Sequence, residues 1–162
     1  MNYIGEHLWA AELGRGLTAF SFAFALLSTV AYYQKGAQWK TLGRLAFRIH
    51  ATALFGLIGT LFFIMANHYF EFDYVWKHTS LDLAPRYLFS AFWEGQEGSF
   101  LLWMFWNAIL GWILTYSAKS FEGPVVGVFA AVQAFLVSMI LGVYIGDLHL
   151  GYSPFHPSTR IE

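Results

Sequence analysis

The sequence predicts an all-α integral membrane protein with four transmembrane helices, and three observations support this fold class. Apolar residues make up 57% of the 162 residues, and the mean hydropathy is +0.50. Charged residues account for only 12%, so the chain cannot cover itself with polar surface as a soluble domain of roughly 25% charged residues does. Four apolar stretches also approach the length of about 20 residues that a helix needs to cross a bilayer.

These four stretches leave no room for a second domain, so residues 1–162 are predicted to form a single membrane domain. The predicted spans lie at about residues 13–33, 49–67, 97–116 and 124–145. Asn107 lies within the third span, and Gln133 lies near the centre of the fourth. Because an unpaired polar side chain is costly at membrane depth, Asn107 is expected to bond another helix.

Residues 34–48 form the most basic segment and are predicted to be a short cytoplasmic loop. The segment holds no acid, and its cations are Lys35, Lys40, Arg44 and Arg48. Since Lys and Arg concentrate in cytoplasmic loops, both chain termini are predicted to be external. Over the whole chain this topology places five Lys and Arg residues inside and four outside. The predicted orientation therefore depends on the high density of positive charge in this one segment.

The composition excludes several classes of function. The net charge of −1 gives no basis for binding nucleic acid. The chain has no cysteine, which excludes disulfides, thiolate metal sites and cysteine nucleophiles, and no metal site is predicted. His50 is placed at the inner end of the second span, and the other histidines lie in the N-terminal lead or in loops. Two external histidines, His78 and His149, are the candidate cofactor ligands.

Residues 68–89 are predicted to form an external loop before the third span. The loop is too aromatic for a solvated linker, since it contains Tyr69, Phe70, Phe72, Tyr74, Trp76 and Tyr87. It is therefore expected to lie on the membrane surface or to pack against a partner.

The most informative segment is residues 93–103, which read W-E-G-Q-E-G-S-F-L-L-W at the mouth of the third span. Glu94 and Glu97 lie where a helix begins, so they can meet free backbone N–H groups and the positive end of the helix dipole. Trp93 and Trp103 flank this polar hinge. The segment can be interpreted as a helix start with an interfacial tryptophan anchor, or as a functional site.

Residues 93–103 resemble the W-G-x-x-E-G-S-x-L-L-W signature of the CcmF-type cytochrome c haem lyases, which are membrane proteins of the cytochrome c maturation pathway. The signature is assigned to Trp93, Glu94, Gly95, Glu97, Gly98, Ser99 and Trp103. Glu94 stands where the family more often has glycine. Residues 76–87 are similar to the family's H-S…L-P…Y segment, and residues 152–155 look like its N-P-F, with Ser153 in place of Asn.

Members of that family are several times longer than this chain, which is similar only to their beginning. Their tryptophan-rich W-W-x-W-D segment, which handles haem, has no counterpart here. The resemblance therefore implies haem in the complete protein, but no haem on this chain alone and no catalytic residue within it. The chain is expected to be a fragment of a haem lyase or one product of a split gene.

The resemblance implies a membrane scaffold that supports covalent attachment of haem to the CxxCH thiols of apocytochrome c. It further implies the bacterial inner membrane, a periplasmic N-terminus, and four kinds of partner: the remainder of the lyase, other maturation proteins, apocytochrome c and membrane lipid. Two alternatives remain open. One is a small ion-coupled transporter or channel subunit, with a path lined by Glu94, Glu97, Asn107 and Gln133. The other is a structural subunit of a respiratory complex.

Overall fold

The computed structural model describes residues 7–145, 148–151 and 153–156, and for residues 143–145 and 148–150 it describes the backbone alone. The prediction that both termini are external concerns residues that lie outside this range, 1–6 and 157–162. Tyr152 of the Y-S-P-F segment also lies outside it.

Within the described residues the chain forms six α-helices and one small hairpin. The helices are α1 (Leu8–Tyr33), α2 (Ala37–Ala66), α3 (Asp73–His78), α4 (Leu88–Glu94), α5 (Gln96–Ser117) and α6 (Glu122–Leu141). The hairpin strands are β1 (Val143–Ile145) and β2 (Leu148–Leu150), which pair antiparallel. Helices α1, α2, α5 and α6 are long and apolar enough to cross a membrane. The predicted fold class is confirmed, and the protein is a multi-pass membrane protein.

The four long helices form a bundle in which α1 packs along α2 and α6, while α5 packs against α2 and α6. Its core consists largely of aliphatic side chains with no exposed surface, including Leu57, Leu61 and Val137. The outward faces are apolar as well, as shown by the half-exposed Leu110 on α5 and the largely exposed Phe135 on α6. Helices that are apolar on every face are typical of membrane spans.

Helix α2 begins at Ala37, so the prediction that residues 34–48 form a loop is wrong for most of that segment. Gly36, with a φ of 120°, lies in the short connection from α1, and α2 then continues without a break to Ala66. A helix of 30 residues is about 45 Å long, whereas the hydrocarbon core is about 30 Å thick. The first turns of α2 therefore extend beyond the apolar layer and carry the basic residues on a helix.

Two basic residues of α2, Lys40 and Arg44, bind one buried carboxylate, that of Glu122 in the first turn of α6. Arg44 binds it with two hydrogen bonds, from Nε to Oε1 at 2.8 Å and from Nη2 to Oε2 at 2.6 Å. Lys40 Nζ lies 3.1 Å from Oε2, and the Tyr32 hydroxyl donates to Oε1 at 3.0 Å. Glu122 is only 2% exposed, so this cluster joins α1, α2 and α6 at the end of the bundle that we call the basic end.

Helix α6 ends at Leu141, which corrects the predicted span of residues 124–145. Gly142 adopts a left-handed conformation with a φ of 71°, the backbone geometry that commonly ends a helix. The chain then turns into the hairpin, and a side chain at Gly151 would overlap the carbonyl of Met139. The apolar composition of residues 143–145 predicted that the helix continues, but in the structure these residues form strand β1.

A second polar contact set lies halfway along the bundle. His50 is fully buried in the middle of α2, and its Nδ1 lies 2.9 Å from Ser21 Oγ of α1. The prediction that His50 lies at the inner end of a span is wrong, because α2 starts twelve residues earlier than expected. Gln133 of α6 donates from Nε2 to the Met104 carbonyl of α5 at 2.8 Å and so joins two spans. The bond expected of Asn107 is not found within the described residues, where its buried Oδ1 has no partner.

The aromatic segment 68–89 packs partly against the chain itself, since Phe72 and Tyr74 are buried in the main core. Glu71 binds His7 at the start of α1, with Oε1 2.6 Å from Nδ1. The His7 ring also stacks on Tyr69, with 3.8 Å between ring centroids. These contacts fix the segment over one end of the bundle, which we call the aromatic end.

Replacing Glu122 by Gln is expected to destabilise the bundle by about 3 kcal/mol, because losing one partner of a buried ion pair leaves the other charge uncompensated. Thermal unfolding in detergent measures this change. Glu12→Gln is the matched control, since Glu12 is exposed on α1. Equal unfolding temperatures for the two variants would contradict a structural role for the Glu122 cluster.

Candidate functional site

The signature sequence forms the junction between α4 and α5 at the aromatic end. Helix α4 ends at Glu94 and α5 starts at Gln96, so Gly95 alone separates them. Gly95 has extended backbone angles, with φ −80° and ψ 159°, which turns the chain sharply between the two helices. The last carbonyls of α4 therefore lack the helical N–H donors they would have in a continuous helix.

Two side-chain hydroxyls satisfy these carbonyls. The Tyr74 hydroxyl, which comes from α3, donates to the Phe92 carbonyl. The Ser99 hydroxyl, from the first turn of α5, donates to the Trp93 carbonyl at 2.8 Å. The junction is thus closed by one bond from inside the signature and one from a residue outside it.

The same contacts explain why glycine occupies two signature positions. A Cβ at Gly98 would overlap both the Phe92 carbonyl oxygen and the Tyr74 hydroxyl. A Cβ at Gly95 would lie 2.7 Å from His78 Nε2 and 2.7 Å from the Tyr74 ring, closer than atoms tolerate. Glycine is therefore required here by close packing, since neither position has a positive φ.

Tyr74 is well suited to donate its proton to this junction. The residue is only 4% exposed, and burial raises the pKa of its phenol, with the nearby Glu97 carboxylate acting in the same direction. The hydroxyl therefore stays protonated at physiological pH, which it must do to bond the Phe92 carbonyl.

The two signature carboxylates have different surroundings. The Glu94 side chain is 68% exposed, and its Oε2 lies 4.0 Å from His78 Nδ1. Glu97 lies in the first turn of α5 and is half-buried, where a negative charge is favourable to the helix dipole. Neither carboxylate accepts a hydrogen bond within the described residues, and Glu94 is the more accessible of the two to another chain.

A cavity of about 340 Å³ opens beside the junction. It is lined by His78, Leu83, Tyr87, Ser90, Ala91, Trp93 and Glu94. Trp93 is 42% exposed and Trp103 is 62% exposed, so the two signature tryptophans present indole surface outward. The junction therefore combines an apolar cleft, one exposed carboxylate and exposed aromatic rings.

The two candidate cofactor ligands have different positions in the structure, and one residue of the junction was not predicted. The structure brings His78 to the signature, next to Gly95 and Glu94. It places His149 on β2, where its side chain is outside the described part. Tyr74 was predicted only as one aromatic residue among several, and no sequence spacing pairs it with Phe92. Within the described residues no group of three or more His, Cys, Asp or Glu could hold a metal ion.

Gly98→Ala is expected to destabilise the protein by about 2 kcal/mol, because an added methyl group must push apart the Phe92 carbonyl and the Tyr74 hydroxyl. Chemical or thermal unfolding in detergent measures the loss. Gly59→Ala in α2 is the control, since a Cβ there meets nothing within 4 Å, and it should be neutral or slightly stabilising. If both variants are equally stable, the close packing at the junction does not constrain the signature.

Comparison with known proteins identifies the architecture. A solved structure of "Cytochrome c Heme Lyase CcmF" superposes with a TM-score of 0.74 at 21% sequence identity, over 81% of this chain and 23% of that chain. No family model matches the chain, and no curated protein matches it. The resemblance first seen in the signature is thus confirmed at the level of fold: the four-span bundle has the architecture of part of a CcmF cytochrome c haem lyase.

Proposed function

We propose that this chain is a membrane scaffold part of a cytochrome c haem lyase, which supports attachment of haem to the CxxCH thiols of apocytochrome c on the outer face of the inner membrane. One observation carries the proposal. The residues that resemble the haem lyase signature form a closely packed helix junction, in a fold that matches part of CcmF.

The contribution of this chain is positional. The reaction joins haem vinyl groups to two cysteine thiols, and this chain has no cysteine of its own. Its junction holds Trp93 and Glu94 at the surface through contacts that are themselves buried. A junction held in this way can orient a neighbouring segment without contacting the reacting atoms. Correct orientation of the reactants contributes much of the rate enhancement in such reactions.

The residues of the junction do not fit a resident haem. His78 is the only imidazole at the junction within the described part of the chain, and its Nδ1 is buried. Its Nε2 lies against Gly95, where even a methyl group would be too close. Since iron ligation needs an accessible ring nitrogen, no step of the reaction is assigned to haem held by these residues.

The partners follow from the same proposal. The exposed junction faces the remainder of the lyase and other cytochrome c maturation proteins, with apocytochrome c as the substrate on that side. In the orientation predicted from the basic residues of segment 34–48, the aromatic end and the N-terminus are periplasmic, and the basic end is cytoplasmic. A pulldown that recovered respiratory subunits instead, or ion flux from proteoliposomes, would favour one of the alternative functions.

Glu97→Gln is expected to lower covalent haem in c-type cytochromes by about fivefold in cells that depend on the protein carrying this chain. The reason is that Glu97 belongs to the E-G-S core of the signature, where the interaction of a first-turn carboxylate with the helix N-terminus is worth up to about 1 kcal/mol, a factor of about five. Glu94→Gln is the matched control: it removes the same charge at a position where the family more often has glycine, so it should impair haem attachment less. Haem staining of membrane cytochromes, normalised to the amount of variant protein, gives the readout. Wild-type haem levels in both variants would leave the signature as an interfacial anchor only.

A further inference from the structure

The Arg48 guanidinium lies at the basic end of the bundle. Helix α5 has 22 residues and is about 33 Å long, close to the thickness of the hydrocarbon core. The Arg48 side chain extends from α2 to Thr115 and Tyr116 in the last turn of α5. Its guanidinium is therefore near the level where phospholipid phosphates lie.

Arg48 has no anionic partner within the described residues. Its neighbour one turn earlier, Arg44, binds the Glu122 carboxylate together with Lys40. Arg48 makes only a 3.3 Å hydrogen bond from Nη2 to the Thr115 hydroxyl, and its Nε is buried without a partner. A partly buried guanidinium without a counterion is unfavourable, so an anion at this position would stabilise the protein.

A second unpaired donor lies beside it. The Arg48 guanidinium carbon lies 4.4 Å from the centre of the Tyr116 ring, in the last turn of α5. Tyr116 is 66% exposed, and its hydroxyl has no hydrogen-bond partner in the described part of the chain. The ring holds the guanidinium at the seam between α2 and α5, with both groups able to donate to one acceptor.

We propose that Arg48 and Tyr116 bind the phosphate of an anionic phospholipid at the seam between α2 and α5. The planar guanidinium offers paired N–H donors that match phosphate oxygens, and the Tyr116 hydroxyl offers a further donor. Exposed apolar side chains lie on α5 on the membrane side of Tyr116, at Ile113 and Leu110. They provide a surface for acyl chains, which a free phosphate ion lacks, so the lipid is the ligand. Basic pockets between spans on the cytoplasmic side are a known mode of anionic lipid binding.

The test titrates phosphatidylglycerol or phosphatidylcholine in mixed micelles against the purified chain and follows the unfolding temperature. Phosphatidylglycerol should raise the unfolding temperature and phosphatidylcholine should not. Arg48→Gln should weaken the apparent affinity for phosphatidylglycerol about tenfold, the loss expected for a charged hydrogen bond. Lys35→Gln is the control, because it removes one exposed cation from the same end and should leave the affinity unchanged.

Two further arms keep the result decisive. Tyr116→Phe keeps the ring beneath Arg48 and removes only the hydroxyl, so it should weaken the affinity for phosphatidylglycerol less than Arg48→Gln does. If Arg48→Gln does not fold, the Tyr116→Phe variant alone tests the proposal. Inorganic phosphate should leave the unfolding temperature unchanged. The proposal is overturned if inorganic phosphate or phosphatidylcholine stabilises as well as phosphatidylglycerol does. It is also overturned if Lys35→Gln loses as much affinity as Arg48→Gln, or if Tyr116→Phe binds like the unmodified chain.

Discussion

The hydrogen bond from the Tyr74 hydroxyl to the Phe92 carbonyl is the contact on which the signature junction depends. It satisfies a carbonyl that the break between α4 and α5 would otherwise leave unpaired, and it joins the short helix α3 to α4 beside the first turn of α5. Gly98 must lack a side chain so that this bond can form. The exposed Trp93 and Glu94 adjoin these buried contacts, and this arrangement is the basis on which we propose an orienting role for the signature instead of an acid–base role.

Polar groups connect the helices at three levels of an otherwise apolar bundle. The Glu122 cluster joins three helices at the basic end, the Ser21–His50 and Gln133–Met104 contacts lie halfway, and the Tyr74 junction closes the aromatic end. Lipid tails are as apolar as the side chains they meet, so apolar burial alone distinguishes helix–helix from helix–lipid contact only weakly. Hydrogen bonds between helices supply the specificity that the apolar faces lack.

The sequence predicted the fold class and the four spans, because hydropathy and length are local properties. It failed where the deciding partner is distant in sequence. Lys40 and Arg44 looked like loop cations because nothing nearby pointed to Glu122, which begins a helix elsewhere in the chain. The end of α6 could have been predicted, because Gly142 can adopt the left-handed conformation that commonly ends a helix. The apolar residues that follow it suggested instead that the helix continues. The motif residues were identified by resemblance, but their mutual geometry depends on Tyr74, which no local pattern marks.

Hydrogen exchange at the junction tests the central claim, that the signature is a packed helix junction held by Tyr74. Amide exchange is measured by mass spectrometry on the protein in lipid nanodiscs, with and without Tyr74→Phe, which keeps the ring and removes the hydroxyl. Loss of one buried hydrogen bond, worth about 1 kcal/mol, should speed exchange about fivefold in peptides covering residues 88–103. Peptides from the basic end, around Glu122, should be unchanged. Unaltered exchange in residues 88–103, or an equal increase at both ends of the bundle, would contradict the account.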